Sequence, residues 1–360
     1  MKIGLLTTYS FNYGSYYQAV SLQKKLQSMG YECELINEEI KRYKWFNLFI
    51  MYAFDPILPT RIKKILANSI PQYNSYLKIR GDVSKVKVSN ETSFDFKKLS
   101  RKYDCIIVGS DELWSADKSS IRFVPEYFGI GCQCPIFSYA TCAIKLDVKD
   151  QNLREKIAQA LKTFTAIAVR DDISKKKIGQ IIPGEKIYKV LDPTLLNPFF
   201  VYKGEQIETE RYVLLYGQHY SDEQINFIKR YANENQCVIK CVGWKQDWCD
   251  EFVNTESGEK LQETFAKAEF CFPSTFHGTI FSILNHKQFI AMLNPLRGKK
   301  VELLLDELKL KNRIYNEKMD WKLISNINYD EVERVLCMRR EESQNYLEWA
   351  LGRIKSEKNM

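Results

Sequence analysis

Short apolar runs, each followed by a polar turn and then by apolar residues at helical spacing, recur along this chain. That alternation narrows the fold to parallel α/β sheets, because strands buried on both faces read as continuous apolar runs. Ile3 to Leu6 is the first such run. The loop Thr8 to Ser15 follows, then Tyr17, Val20, Leu22, Leu26 and Met29 at helical spacing, closed by Gly30 and followed by the strand Glu34 to Asn37. A βαβ unit at the start predicts a doubly wound sheet whose ligand crevice lies at the carboxyl ends of its strands. The loop carries neither G-x-G-x-x-G nor a Walker lysine, which excludes a dinucleotide fingerprint and a P-loop.

The alternation breaks over 41–100 and then resumes. Asp104 to Val108 reads as a strand ending in Gly109-Ser110-Asp111-Glu112, Ile136 to Tyr139 as another, and Leu153 to Phe164 as a helix. Ala166 to Val169 runs into Arg170-Asp171-Asp172, and Lys189 to Leu191 into Asp192-Pro193-Thr194. After a polar segment at 197–210, a second series begins at Tyr212 to Tyr216. It continues through a helix over about 222–234, a strand at Cys237 to Val242, a helix near 259–266 and strands at Ala268 to Phe272 and Phe289 to Met292. Val332, Val335, Leu336, Leu347, Ala350, Leu351 and Ile354 predict a terminal amphipathic helix or two. The expected units are therefore 1–196, with a helical insertion near 41–100, then 211–328, then a helical segment 329–360.

The formal charge of +8 is modest for 360 residues with 45 acidic ones among them. It argues against a dedicated nucleic-acid binder and suits anionic small molecules or an anionic membrane surface. Residues 41–66 carry basic residues around a dense apolar stretch. The segment reads either as an inserted helical pair packed on the first unit or as a peripheral contact with an anionic membrane. Met1 to Thr8 turns polar too soon for a signal peptide, and no apolar run approaches a membrane span, so a cytoplasmic location is expected. The ten cysteines are expected to be reduced thiols, and their spacing does not pair into a zinc site.

Ser274-Thr275-Phe276-His277-Gly278 is the stretch with most chemistry, in a chain with three histidines. A Ser/Thr pair between a strand and an apolar helical pattern starts a helix, whose first turn aims free N–H groups and a positive dipole end outward. His277 there is either a buried histidine in a capped helix or a proton carrier beside an anion site. Arg170 and Asp111, both at strand ends, are the candidates for an anion clamp and for a base or hydroxyl acceptor.

Five short motifs stand in order: Asn12-Tyr13-Gly14, Val108-Gly109-Ser110-Asp111 with Trp114, Val169-Arg170-Asp171, Asp192-Pro193-Thr194 and Ser274 to Gly278. In this order the chain resembles the polysaccharide pyruvyl transferase family, from Lys2 to about Arg313. The resemblance implies two Rossmann-like domains facing across a GT-B-like cleft, with the C-terminal helix crossing back to the first. It implies transfer of a pyruvyl group from phosphoenolpyruvate, a co-substrate, onto hydroxyls of a sugar acceptor on a surface-polysaccharide or lipid-linked precursor, with no metal and no organic cofactor. His277 and Asp111 would then be catalytic, and Arg170, Ser274, Thr275, Gly278, Arg297 and Lys300 would bind the donor. Asn12, Tyr13, Gly14 and Ser110 would line the acceptor side. Many members carry arginine two positions before the histidine; this chain has Thr275, and Arg297 and Lys300 are the nearest replacements. Two other readings stay open: a GT-B-type glycosyltransferase using a nucleotide sugar, and a non-catalytic partner protein in polysaccharide assembly.

Overall fold

The structure, a computed structural model, describes residues 1–9, 12–36, 78–79, 81–89, 95–116, 123–204, 210–293 and 298–358. Most of the insertion near 41–100, including the 41–66 segment, lies outside the described residues, as does Arg297.

The first half is built on β1 (Lys2–Leu6), α1 (Tyr13–Ser28), β2 (Glu32–Leu35), α2 (Phe96–Ser100), β3 (Cys105–Asp111), β4 (Ile136–Thr141) and α3 (Gln151–Leu161). It continues with β5 (Ile167–Val169), α4 (Asp172–Ile181), β6 (Ile187–Lys189) and α5 (Pro193–Leu196). Its six strands pair in parallel in the order β2-β1-β3-β4-β5-β6. The order reverses between β1 and β3, and a ligand crevice belongs outside the carboxyl ends of those two strands.

The second half follows with β7 (Tyr212–Tyr216), α6 (Asp222–Glu234), β8 (Val238–Val242), β9 (Glu251–Val253), α7 (Gly258–Lys267) and β10 (Phe270–Pro273). Then come α8 (Phe276–Leu284) and α9 (Lys299–Glu307). The strands are again parallel, in the order β10-β7-β8-β9, and reverse between β7 and β10. The expected strand at Phe289 to Met292 forms single bridges, Phe289 with Cys271 and Ala291 with Ile314, beyond the β10 edge.

One helix, α10 (Tyr329–Lys358), ends the chain and ties the halves together. The Tyr329 ring stacks on His286 of the second half at 4.5 Å. Leu347, Ala350, Leu351 and Ile354, spaced as one helical face, are fully buried in the core that spans both halves. Each large one contributes roughly 1.5–3 kcal/mol by leaving water. The Tyr346 hydroxyl donates to Ser138 O in β4 at 2.8 Å, and Leu191 N donates to Ser343 Oγ at 2.9 Å. The GT-B-like reading thus holds: two parallel α/β sheets with a terminal helix that returns to the first. Among the described residues, no helix is long and apolar enough to cross a membrane.

Candidate functional site

Two helices start at the same place. Asn12 caps α1, its Oδ1 accepting Ser15 N at 2.9 Å while the Ser15 hydroxyl accepts Asn12 N at 3.2 Å. The sequence reading left Tyr13 to Ser15 in a loop; the cap instead makes them the first turn of α1. Thr275 caps α8, its hydroxyl accepting Gly278 N at 3.1 Å. These two first turns touch: a Cβ on Gly14 would stand 2.4 Å from His277 Nδ1. First-turn N–H groups have no partners within their own helix, so two positive helix ends converge on one spot.

His277 sits at that spot with its side chain 13% exposed. Its Nε2 is buried without a hydrogen-bond partner, the nearest carboxylate oxygen being Asp192 Oδ2 at 3.9 Å. Tyr13, at the start of α1, likewise has a buried hydroxyl with no partner. Burial pushes the His277 imidazole below its usual pKa, the Asp192 and Asp111 carboxylates oppose that, and Arg170 and Lys300 add to it. The ring is therefore neutral at neutral pH, and an arriving anion would favour its protonated form.

Asp192 is a junction. Its Oδ1 caps α5, accepting Thr194 N at 3.0 Å and the Thr194 hydroxyl at 2.5 Å. Its Oδ2 accepts Arg170 Nη1 at 2.7 Å and faces His277. Arg170 also lies 4.4 Å over the ring of Phe276, the first residue of α8, so a buried guanidinium does reach that helix end. The strand-end arginine pairs with Asp192, not with its neighbours Asp171 or Asp172, because Asp171 is taken up by Ser174: Oδ1 accepts Ser174 N at 2.7 Å.

From the other side, Asp111 ends β3 at the first switch point, in a left-handed backbone conformation with φ +73°. Thr8 donates its hydroxyl to Asp111 Oδ2 at 3.0 Å, and Glu112 N donates to Oδ1 at 2.9 Å. A non-glycine residue held at positive φ costs of order 1 kcal/mol and recurs at functional sites. Burial works against the charged form of Asp111, yet Lys300, Arg170 and His277 outweigh it and hold the pKa below the usual value. Asp111 is a carboxylate at neutral pH. Lys300, from the first turn of α9, reaches across to Glu112 Oε2 at 2.5 Å.

His277, Asp111, Arg170 and Lys300 thus gather where the first turns of α1 and α8 meet, with Asn12, Tyr13 and Gly14 supplying one of those turns. Ser110 is fully buried, its hydroxyl without a partner and its carbonyl accepting from Thr7 at 3.1 Å. Ser274 closes the second switch point: its hydroxyl donates to Gln218 O at 2.9 Å. A Cβ on Gly217 would fall 1.9 Å from Ser274 Oγ, so that approach needs glycine. Thr275 commits its hydroxyl to the cap, and Gly278 fits against Tyr216, 2.8 Å from an added Cβ. Asp192, Thr8 and Glu112 also belong to this group, though none is among the candidate site residues named from the sequence. An aspartate before a first-turn proline is a cap signal that was available for Asp192. Among the described residues, no three histidine, cysteine or carboxylate side chains gather as a metal-holding group.

Chemically, the site can hold an anion on two helix ends with arginine and lysine alongside. It can also keep a proton on His277 Nε2 and present an ionised carboxylate opposite.

The chain aligns across most of its length with several solved structures. An α-glucosyltransferase in complex with UDP and DNA aligns at 10% identity and a TM-score of 0.49, covering 96% of this chain and 90% of that one. UDP-GlcNAc 2-epimerase from Methanocaldococcus jannaschii aligns at 10% identity and 0.46, covering 93% and 92%. The spinosyn forosaminyltransferase SpnP aligns at 10% identity and 0.42, covering 96% and 95%. No curated protein sequence matches. The sequence pattern described as polysaccharide pyruvyl transferase matches residues 12–295, which takes in α1, the Asp111 strand end, the Arg170–Asp192 pair and the His277 turn. The chain belongs to the polysaccharide pyruvyl transferase family.

Proposed function

We propose that this protein transfers the pyruvyl group of phosphoenolpyruvate to a pair of hydroxyls on a sugar. The acceptor would belong to a surface-polysaccharide precursor, lipid-linked and met at the inner face of the membrane. The observation that carries this reading is His277: an imidazole whose buried Nε2 has no hydrogen-bond partner, where two helix N-termini meet. Phosphoenolpyruvate is a small dianionic or trianionic molecule, and a helix N-terminus with a neighbouring guanidinium is a natural seat for such a group. In this reading the donor sits towards α8 and the acceptor towards α1 and β3.

The chemistry balances with the groups present. One acceptor hydroxyl loses its proton to Asp111 as its oxygen bonds to carbon 2 of the donor, while His277 delivers a proton to carbon 3, which becomes a methyl group. The second hydroxyl then displaces phosphate from carbon 2 and its proton leaves with the phosphate. The products are a cyclic ketal and inorganic phosphate. Binding of the donor anion raises the His277 pKa from its depressed resting value, so the acid is charged when the donor is in place. Asp111, held ionised, accepts from a hydroxyl without first having to lose a proton.

Incubation with phosphoenolpyruvate and a panel of sugar acceptors should release phosphate and add the mass of one pyruvyl group, and His277→Ala should abolish both. Wild-type protein that neither binds nor consumes phosphoenolpyruvate would end this reading. Thermal shifts separate it from nucleotide-sugar transfer, since a ligand stabilises in proportion to RT ln(1 + [L]/Kd). Stabilisation by UDP and not by phosphoenolpyruvate would favour the glycosyltransferase. A non-catalytic partner protein would consume no phosphoenolpyruvate with any acceptor, so the same incubation separates that reading.

A further inference from the structure

Glu112 stands between two ammonium groups. Its Oε2 holds Lys300 Nζ at 2.5 Å and its Oε1 holds Lys145 Nζ at 2.9 Å. The lysines come from different halves of the chain, Lys145 from the loop after β4 and Lys300 from α9. The Lys300 side chain is 19% exposed and that of Lys145 is 44%, so solvent screens the inner pair far less than the outer one.

We propose that Glu112 is a positioning residue: it draws Lys300 across the cleft and fixes its ammonium at the rim of the His277 site, as a cation for the anionic donor. The proposal rests on the donor reading given above and extends it to a residue outside the five motifs. A lysine is a hydrated point charge on four rotatable carbons, and it loses rotamer entropy on being fixed. Left alone, its ammonium favours water over a confined cleft. A carboxylate that shares the cleft and lies one residue from Asp111 overcomes that preference. The placement is felt by the rest of the site, since the Lys300 charge acts on Asp111, His277 and Arg170. It also supplies a cation to a site whose helix cap is Thr275 and not an arginine.

A carboxylate this close to an anion site has an opposite effect through its charge alone, and the two effects predict opposite signs. If Glu112 merely screened, Glu112→Gln would make anions bind more tightly. If it positions Lys300, Glu112→Gln lets the ammonium swing away and anions bind more weakly.

The test measures binding of phosphoenolpyruvate, inorganic phosphate and pyrophosphate to the full chain by thermal shift and calorimetry. It uses wild type, Glu112→Gln, Lys300→Met and the double variant. Glu112→Gln should weaken each anion that wild type binds by about tenfold. Lys300→Met should weaken it at least as much, and the double variant should be no worse than Lys300→Met, because the two residues act as one unit. In turnover, the loss should fall on KM for the donor far more than on kcat. Glu112→Asp should recover part of the affinity, and should serve as the reporting variant if Glu112→Gln does not fold. Equal or tighter anion binding by Glu112→Gln, or effects of the two substitutions that multiply, would overturn the proposal. A wild type that binds phosphate and pyrophosphate but not phosphoenolpyruvate would remove the donor reading alone; the same variant ratios would still decide the role of Glu112.

Discussion

Gly14 lies flat against the imidazole of His277, so close that an added Cβ would stand 2.4 Å from Nδ1 and 2.5 Å from Cγ. The two residues belong to different halves of the molecule and 263 positions separate them in the chain. Their contact fixes how near the first turns of α1 and α8 approach.

Gly14→Ala is therefore predicted to act against its own helix propensity. Inside a helix, alanine is favoured over glycine by about 1 kcal/mol. Here the methyl group meets a ring with little room to move, and overpacking of this kind costs about 1–3 kcal/mol. The variant should be less stable than wild type in urea, by about 1 kcal/mol net, and should lose the proposed pyruvyl transfer by displacing His277. A variant more stable than wild type and fully active would show that the ring yields freely.

The buried Arg170–Asp192 pair gives a second prediction. The Arg170 and Asp192 side chains are 5% and 1% exposed. Asp192→Ala removes the partner and leaves a guanidinium buried without compensation, a change of about 3–5 kcal/mol. Asp192→Asn keeps the shape and the cap acceptor on Thr194, so its loss should be clearly smaller. Urea denaturation of both variants checks the order. Equal stability of Asp192→Ala and wild type would mean that water reaches Arg170.

Thr275 separates capping from donor recognition. Thr275→Val keeps the volume and removes the oxygen that accepts Gly278 N, which should cost about 1 kcal/mol. Thr275→Ser keeps the oxygen and should stay within about 0.5 kcal/mol of wild type. If donor affinity follows the same order as stability, the hydroxyl acts through the helix end. A Thr275→Val variant with wild-type stability and weakened donor binding would instead put the hydroxyl on the ligand.

Local signals and long-range contacts divide what was legible in the sequence. Tyr212 to Tyr216 was read to the residue because a strand buried on both faces is an unbroken apolar run. The α4 helix does not show in the pattern: its buried face is Ser174, Ile178 and Ile181, so only two apolar residues mark it, and Lys175, Lys176 and Lys177 precede them and hide the period. The first turn of α1 was missed because Asn-Tyr-Gly reads as turn chemistry, and its capping box uses serine at the third position where glutamate or glutamine is the usual sign. At the site, His277, Arg170 and Asp111 could be picked out as chemically apt residues at strand or helix ends. Their common meeting place could not, since the Lys300–Glu112 contact joins residues 188 positions apart. The role of Asp192 was hidden for the same reason: its cap is local, while its bond to Arg170 spans 22 positions.

The His277 environment sets the sign of a pH effect. The imidazole is held below its ordinary pKa of 6.5, chiefly by burial. As pH falls through about 6.5, a histidine in the unfolded chain takes up a proton while folded His277 does not. The unfolded state then binds more protons, so stability falls with pH from that point down to the depressed value, below which the loss is complete. Above about 6.5 both states are neutral at this residue and it contributes no slope. Asp111 and Asp192, ordinarily at 3.8 and held lower in the fold, stay ionised in both states across this window. His277→Gln removes the titrating group and leaves His219 and His286 in place. Urea midpoints measured from about pH 8 to about pH 5 should therefore fall more steeply for wild type than for His277→Gln. Parallel curves would mean that the imidazole is as easily protonated in the fold as outside it. Saturating phosphoenolpyruvate should shrink the difference between the two curves, because an anion beside His277 raises its pKa back towards the unfolded value.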